Sequence, residues 1–203
     1  MEYISHLAKD KKFKKLIEGR EPFTLKKRKH IHLHLCSSIM SQQLSTKVAH
    51  TIHKRFLALF DTKTPTPEQI LAIGPEKLRA IGLSRAKSGY VHNVARFAIE
   101  KGMDYKHLNG LTNDEVMTYL TEIKGVGRWT AEMLLMFTLG REDVFAVDDL
   151  GIQNAMINLY KLDNSNKKEF REKLLKLSKK WSPYRTYACL HLWHWKDNKP
   201  LDQ

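Results

Sequence analysis

Ile123-Lys124-Gly125-Val126-Gly127-Arg128-Trp129-Thr130-Ala131 sets two glycines one residue apart between two stretches of helical periodicity. Upstream, Thr112-Asn113-Asp114-Glu115 fits a capping box, so a helix is expected from there to Lys124-Gly125. Downstream, a second helix is expected from near Gly127 through Met133, Met136 and Phe137 to Gly140. The glycines allow a tight turn and close approach of another backbone. The second helix opens with outward amides and the positive end of its dipole, which attract a phosphate. Lys124 and Arg128 flank the turn with positive charge. A Gly-x-Gly alone is equally an ordinary helix–helix turn; the flanking charge and the basicity of the chain favour nucleic acid.

Outward from this hairpin the pattern stays helical. Met40, Leu44, Val48, Ile52, Phe56 and Phe60 recur at every fourth position and predict one long helix with a single apolar stripe. Pro65 and Pro67 precede a short helix near Glu68–Ala72, Gly74-Pro75 breaks the chain, and Gly82 ends a second short helix. Ser84 is placed to cap a helix to about Glu100, with Val91, Val94, Ala95 and Ala98 buried and Gly102 beyond its end. Asp148 or Asp149 caps a helix from Leu150 to about Tyr160, and Ser165 and Ser182-Pro183 open the last two. No alternating strands are found. The expected class is all-α.

The 203 residues carry 35 Lys plus Arg against 22 Asp plus Glu, a formal charge of +13. That surplus suits a polyanionic partner, although a basic soluble protein would look the same. Lys9 to Lys29 hold ten basic and three acidic residues, which reads as a phosphate-facing patch or a solvated helix face. Two cysteines, Cys36 and Cys189, cannot build a four-cysteine cluster and read as buried small residues. His30, His32 and His34, like His191 and His194, lack the carboxylate or thiol partners of a metal site, so no metal is expected. No signal-like core and no membrane-length apolar run is seen, so a cytoplasmic protein without membrane contact is expected.

Four ordered segments give the chain a family resemblance. Ser41-Gln42-Gln43-Leu44-Ser45, the hairpin Gly125–Ala131, Asp143-Val144-Phe145-Ala146-Val147-Asp148-Asp149, and Trp181–Ala188 with Leu192-Trp193 resemble the helix-hairpin-helix DNA glycosylases, in particular the bacterial 3-methyladenine glycosylase II branch. The resemblance implies two helical lobes with the active site in a cleft between them. One would be a central lobe, 36–144, ending in the hairpin; the other would combine 1–35 with 145–203. Some relatives carry an extra N-terminal β-rich domain that this chain is too short to hold.

The resemblance also implies roles. Cleavage of an N-glycosidic bond builds positive charge on the sugar, which a carboxylate stabilises. Asp149 matches the catalytic position best, with Asp148 as the alternative if the loop is registered one residue differently; both also read as plain helix caps. Trp129 stands where strand-cutting relatives have a Schiff-base lysine, and offers a π face to a flipped base instead. Trp193 matches another pocket aromatic, with core packing an equal reading. Met133 stands where close relatives often have a tyrosine, which leaves the base preference open. Gln43 aligns with the wedge that fills the vacated stack, Gln42 is next best, and both also read as exposed residues at a helix start. Lys124, Gly125, Gly127, Arg128 and Thr130 would grip the DNA backbone. No cofactor is expected beyond a structural monovalent cation on hairpin carbonyls.

The expected function is base-excision repair by a monofunctional DNA glycosylase. It would act as a monomer on double-stranded DNA containing alkylated purines, associated with the nucleoid. The competing readings are a glycosylase for another damaged base, one with lyase activity, and a hairpin module that only binds DNA.

Overall fold

The computed structural model describes residues 1–198. They form thirteen α-helices and one 3-10 turn with no strand among them, so the fold is all-α. The chain divides into two compact units, one of residues 26–139 and one of residues 1–25 with the segment from 140 onward. Both boundaries fall earlier than 35/36 and 144/145. The first does so because the helix at Ile31 packs inside the middle unit, where the Arg28 amide also donates to the Thr138 carbonyl at 2.9 Å.

The middle unit holds α3 (Ile31–Ser41), α4 (Thr46–Leu57), α5 (Pro67–Ala72), α6 (Pro75–Ala80), α7 (Arg85–Glu100), α8 (Tyr105–Gly110), α9 (Asn113–Thr121) and α10 (Arg128–Phe137). Ser84 caps α7, and Thr112 with Glu115 forms the expected capping box of α9. α7 is the scaffold: it packs on α3, α5 and α6 and buries Val91, Val94 and Ala95 completely. Phe97 rather than the half-buried Ala98 completes that face. α10 packs on α3 and α9. α9 ends at Thr121, before the expected Lys124-Gly125.

The predicted long helix is two helices. Gln42 leaves α3 with ψ 130°, Gln43 takes φ +56°, and Ser45 accepts the Val48 amide to cap α4. The apolar repeat runs through this break: Met40, Ile52 and Phe56 are buried, but Leu44 and Val48 are exposed. A fourfold apolar period does not register a turn inserted within it.

The other unit holds α1 (Glu2–Leu7), α2 (Lys11–Ile17), α11 (Leu150–Tyr160), α12 (Lys167–Ser178) and α13 (Arg185–Asp197). Trp181 is fully buried among the rings of Phe13, Phe145 and Tyr160, and α13 packs on α2 and α11. Asn166, not Ser165, caps α12. α13 opens at Arg185 after Tyr184, because the Ser182 hydroxyl donates to Asp143 at 2.8 Å and so serves a different segment. Cys36 and Cys189 are buried free thiols, and burial pushes Cys36 up to about 12. The basic stretch is divided between the units: Lys9–Arg20 belongs to this one and Lys26–Lys29 to the other.

The start of α13 anchors the segment 141–147. Arg185 donates twice to the Asp143 carboxylate, at 2.6 and 2.9 Å, and the Thr186 hydroxyl bridges the Arg141 carbonyl and the Val144 amide. Burial raises the Asp143 pKa, but the Arg185 and Ser182 hydrogen bonds and the guanidinium charge outweigh it, leaving the group below the usual carboxylate range. A depressed folded pKa stabilises the fold above the unfolded pKa near 4, and that stability is lost as pH falls through the folded value. Arg185→Met should therefore cost about 1–3 kcal/mol at pH 7. Denaturant titrations at descending pH should show the gap to wild type closing below pH ~4. An equal gap at neutral and acid pH would mean that Arg185 acts by packing alone.

Candidate functional site

In the middle unit, the hairpin between α9 and α10 depends on Gly125. Its φ is +106°, and an added Cβ would lie 2.2–2.6 Å from atoms of the Tyr90 side chain. Asn93, also on α7, donates to the Lys124 carbonyl at 3.0 Å, and the Ile123 carbonyl accepts the Val126 amide at 2.9 Å. Gly127 differs. It opens α10 with φ −93°, no side chain caps the helix, and nothing stands within 4 Å of an added Cβ. Lys124 is exposed. Arg128 is ion-paired at 2.9 Å with Glu132, whose side chain is 2% exposed, so part of its charge is directed inward.

The Gln segment meets α10. Gln42, Gln43, Lys87, Tyr90, Trp129 and Thr130 line a recess of about 480 Å³. Gln42 Nε2–H donates to the Thr130 hydroxyl at 3.1 Å. The Thr130 side chain is buried and its hydroxyl is engaged by Gln42. Trp129 is 36% exposed. Met133, one turn on, does not share that recess. It lines another, of about 270 Å³, with Arg28, His34, Ser37, Ser41 and Phe137. Burial and the nearby Arg28 charge push His34 down to about 4.

In the other unit, the aspartate loop delivers Asp149 as the N-cap of α11. Its Oδ1 accepts the Ile152 amide and the Trp193 indole N–H, both at 2.8 Å. Gly151 leaves room for this pairing, since a Cβ there would come within 3.1–3.2 Å of Asp149 Oδ1, Lys196 Cε and Trp193 Cδ1. Gln153 ties the Val147 carbonyl from within α11 at 3.0 Å. Asp148, by contrast, pairs with Arg171 at 3.1 Å, both side chains nearly half exposed. Trp193 thus has a role that its pocket assignment did not contain, as a donor to Asp149. A tryptophan 44 residues away in sequence announces no such bond.

His32 donates to the Pro65 carbonyl, and His191 is buried beside the rings of Tyr3, Phe13 and Phe23. No group of three or more His, Cys, Asp or Glu placed to hold a metal occurs among the described residues. No described helix is long and apolar enough to cross a membrane.

A glycine hairpin feeding an uncapped helix, and a buried-backbone loop ending in a capping aspartate, define a helix-hairpin-helix protein of the base-excision type. The chain belongs to the HhH-GPD superfamily of base excision DNA repair proteins, whose family model matches residues 36–180. Within it, the chain is similar to DNA-3-methyladenine glycosylase 1 of Schizosaccharomyces pombe, at 36% identity over 185 residues, covering 90% of this chain and 80% of that protein. The solved 3-methyladenine DNA glycosylase of Schizosaccharomyces pombe in complex with abasic DNA superposes with a TM-score of 0.87 at 32% identity over the whole of both chains. A DNA-3-methyladenine glycosidase from Bacillus halodurans gives 0.81 at 36% identity, covering 95% of this chain and 88% of that one.

The two hairpin glycines should respond differently to one added methyl. Gly125→Ala should cost about 2–4 kcal/mol, from a strained φ and a collision with a packed ring. Gly127→Ala should cost about 1 kcal/mol or less, as an N-cap change without a clash. Thermal unfolding of both variants checks this; equal losses would place the constraint in the hairpin as a whole.

Proposed function

We propose that this protein is a monofunctional DNA glycosylase that hydrolyses the N-glycosidic bond of alkylated purines, of the 3-methyladenine and 7-methylguanine type, in double-stranded DNA. The observation that carries the assignment is the Asp149 carboxylate, fixed by an amide and an indole donor, at the position the family resemblance makes catalytic. Its charge stabilises the oxocarbenium-like sugar as the C1′–N bond breaks and the electron pair leaves with the base. Water adds to C1′ and gives up a proton, leaving an abasic site and an intact strand. Binding of abasic DNA by the similar Schizosaccharomyces pombe enzyme supports this product.

Other residues take supporting roles. The α10 amides after Gly127, with Lys124 and Arg128, receive a backbone phosphate. Gln43 fills the vacated stack, with Gln42 set behind it by Thr130. Trp129 stacks on the flipped base and supplies no amine for a Schiff base. The hairpin carbonyls of Ile123 and Lys124 each keep a second lone pair beside the donors they already accept. These neutral oxygens suit a monovalent cation, which would hold the turn. We propose that the enzyme works as a monomer, associated with the nucleoid.

Asp149→Asn should slow base release about hundredfold or more with duplex affinity retained. Asp148→Asn should stay near wild type, because that carboxylate is held by Arg171. Trp193→Phe should lower kcat about tenfold with little change in abasic-DNA affinity, since it removes one donor from Asp149. Single-turnover excision of 7-methylguanine measures all three, and an inactive Asp148→Asn beside an active Asp149→Asn would move the chemistry to Asp148.

A purine alkylated at a ring nitrogen is a cation that leaves neutral, so its bond needs little acid help. Stacking on Trp129 favours that cation by about 0.5–2 kcal/mol. In a panel of lesions, cationic alkylpurines should be excised well ahead of uracil or 8-oxoguanine, strands should break only after alkali, and borohydride should trap no adduct. Preference for a neutral lesion, or a trapped adduct, would refute the substrate assignment.

A further inference from the structure

The loop 42–45 is held from outside itself. Lys87, on the first turn of α7, directs its ammonium to the carbonyls of Met40 at 3.1 Å and Gln42 at 2.6 Å. These belong to the last turn and C-cap of α3, where carbonyls lack intrahelical donors and a cation meets the negative end of the dipole. From the other side, the Gln42 side chain is fastened to the buried Thr130, and the Leu44 amide closes the turn on the Ser41 carbonyl at 3.1 Å. Between these ties Gln43 stands exposed at φ +56°, a conformation a residue with a Cβ keeps only where its surroundings impose it.

We propose that Lys87 is the positioning residue of the wedge, locking the Gln42–Gln43 loop in the one shape that presents Gln43 to the base stack. The inference rests on the glycosylase reading of that loop. A wedge acts only if it is stiff: a loop ordered before DNA arrives loses little further entropy on insertion, whereas a loose one must be ordered during base flipping. Lys87 lines the same recess as Gln43 and Trp129, yet it directs donors to protein carbonyls. Its half-buried ammonium, with a pKa lowered by desolvation, fits that inward use.

Lys87→Met keeps the apolar stem and removes the donors, while Lys87→Arg keeps charge and donors. Single-turnover release of 7-methylguanine is compared between a duplex with the lesion paired to cytosine and one with the lesion in a single-base bulge, where no pairing must be undone. Lys87→Met should lose about tenfold on the paired lesion and less than about threefold on the bulged one, with Lys87→Arg recovering most of the loss. The salt dependence of duplex binding should keep its slope, and amide exchange in the free protein should quicken at residues 43–45. Equal losses on both substrates, a slope reduced by about one unit as for a phosphate contact, or unchanged exchange would each overturn the proposal. Should Lys87→Met fail to fold, Lys87→Gln, with a shorter donor, should show the same paired-over-bulged loss and faster exchange. A wild-type protein that releases base from neither substrate defeats the glycosylase reading, while the exchange data still decide whether the lock exists.

Discussion

The amides that open an α-helix have no acceptor within it, and the protein meets this constraint in opposite ways at two helices. At α11 it supplies its own anion. Asp149 takes the Ile152 amide, so its carboxylate is fixed at the positive end of the helix by the same bond that ends the loop. At α10 it supplies none: Gly127 caps the helix without a side chain. One helix start thereby fixes a carboxylate, and the other leaves its first amides without a side-chain acceptor. The rest of each unit serves to hold these two starts. The bidentate Arg185–Asp143 pair and Thr186 fasten the strand of chain that leads to Asp149, and Trp193 reaches the same oxygen from α13.

In the middle unit the corresponding work falls to one face of α7. Lys87, Tyr90 and Asn93 are three residues apart, so they stand in a row along the helix. Lys87 holds the carbonyls of the Gln loop, Tyr90 packs into the space where Gly125 lacks a side chain, and Asn93 bonds the Lys124 carbonyl. Two loops far apart in sequence are thus registered to one rigid rod. The buried face of that rod, Val91, Val94 and Ala95, is packed without exposure against its neighbours, so the helix that carries these three contacts is itself held by the core.

The parts legible in the sequence were those governed by local chemistry. The capping box at Thr112, the Ser84 cap, the glycine hairpin and the Asp149 cap each rest on residues within one turn of each other. What escaped depends on contacts across long sequence separations or on a period that misleads. The repeat from Met40 to Phe60 kept its spacing through a four-residue break, because Leu44 and Val48 happen to be apolar while lying on the surface. The basic run from Lys9 to Lys29 looked continuous, yet the chain passes from one unit to the other at Lys26. The buried Thr130 hydroxyl is taken by Gln42, 88 residues away, a pairing that no local pattern shows. Lys87 carried no motif at all.

Net charge proves a weak guide to where recognition occurs. Arg128, the first residue of α10, is drawn toward a buried Glu132, so a phosphate bound there as proposed would be held largely by backbone amides, which are fixed in direction. Such a grip would be indifferent to sequence, and discrimination among bases would fall to the recesses along α10. Both of those recesses hold a cation beside an aromatic ring. The first sets the π face of Trp129 near Lys87, whose ammonium is bound to the carbonyls of Met40 and Gln42, and the second sets Met133 and Phe137 near Arg28. A cationic base stacked on Trp129 as proposed would also meet the Lys87 ammonium, whose carbonyl partners offset part of that repulsion. An order of preference between charged and neutral lesions would then follow from the balance between the Trp129 ring and the cation beside it.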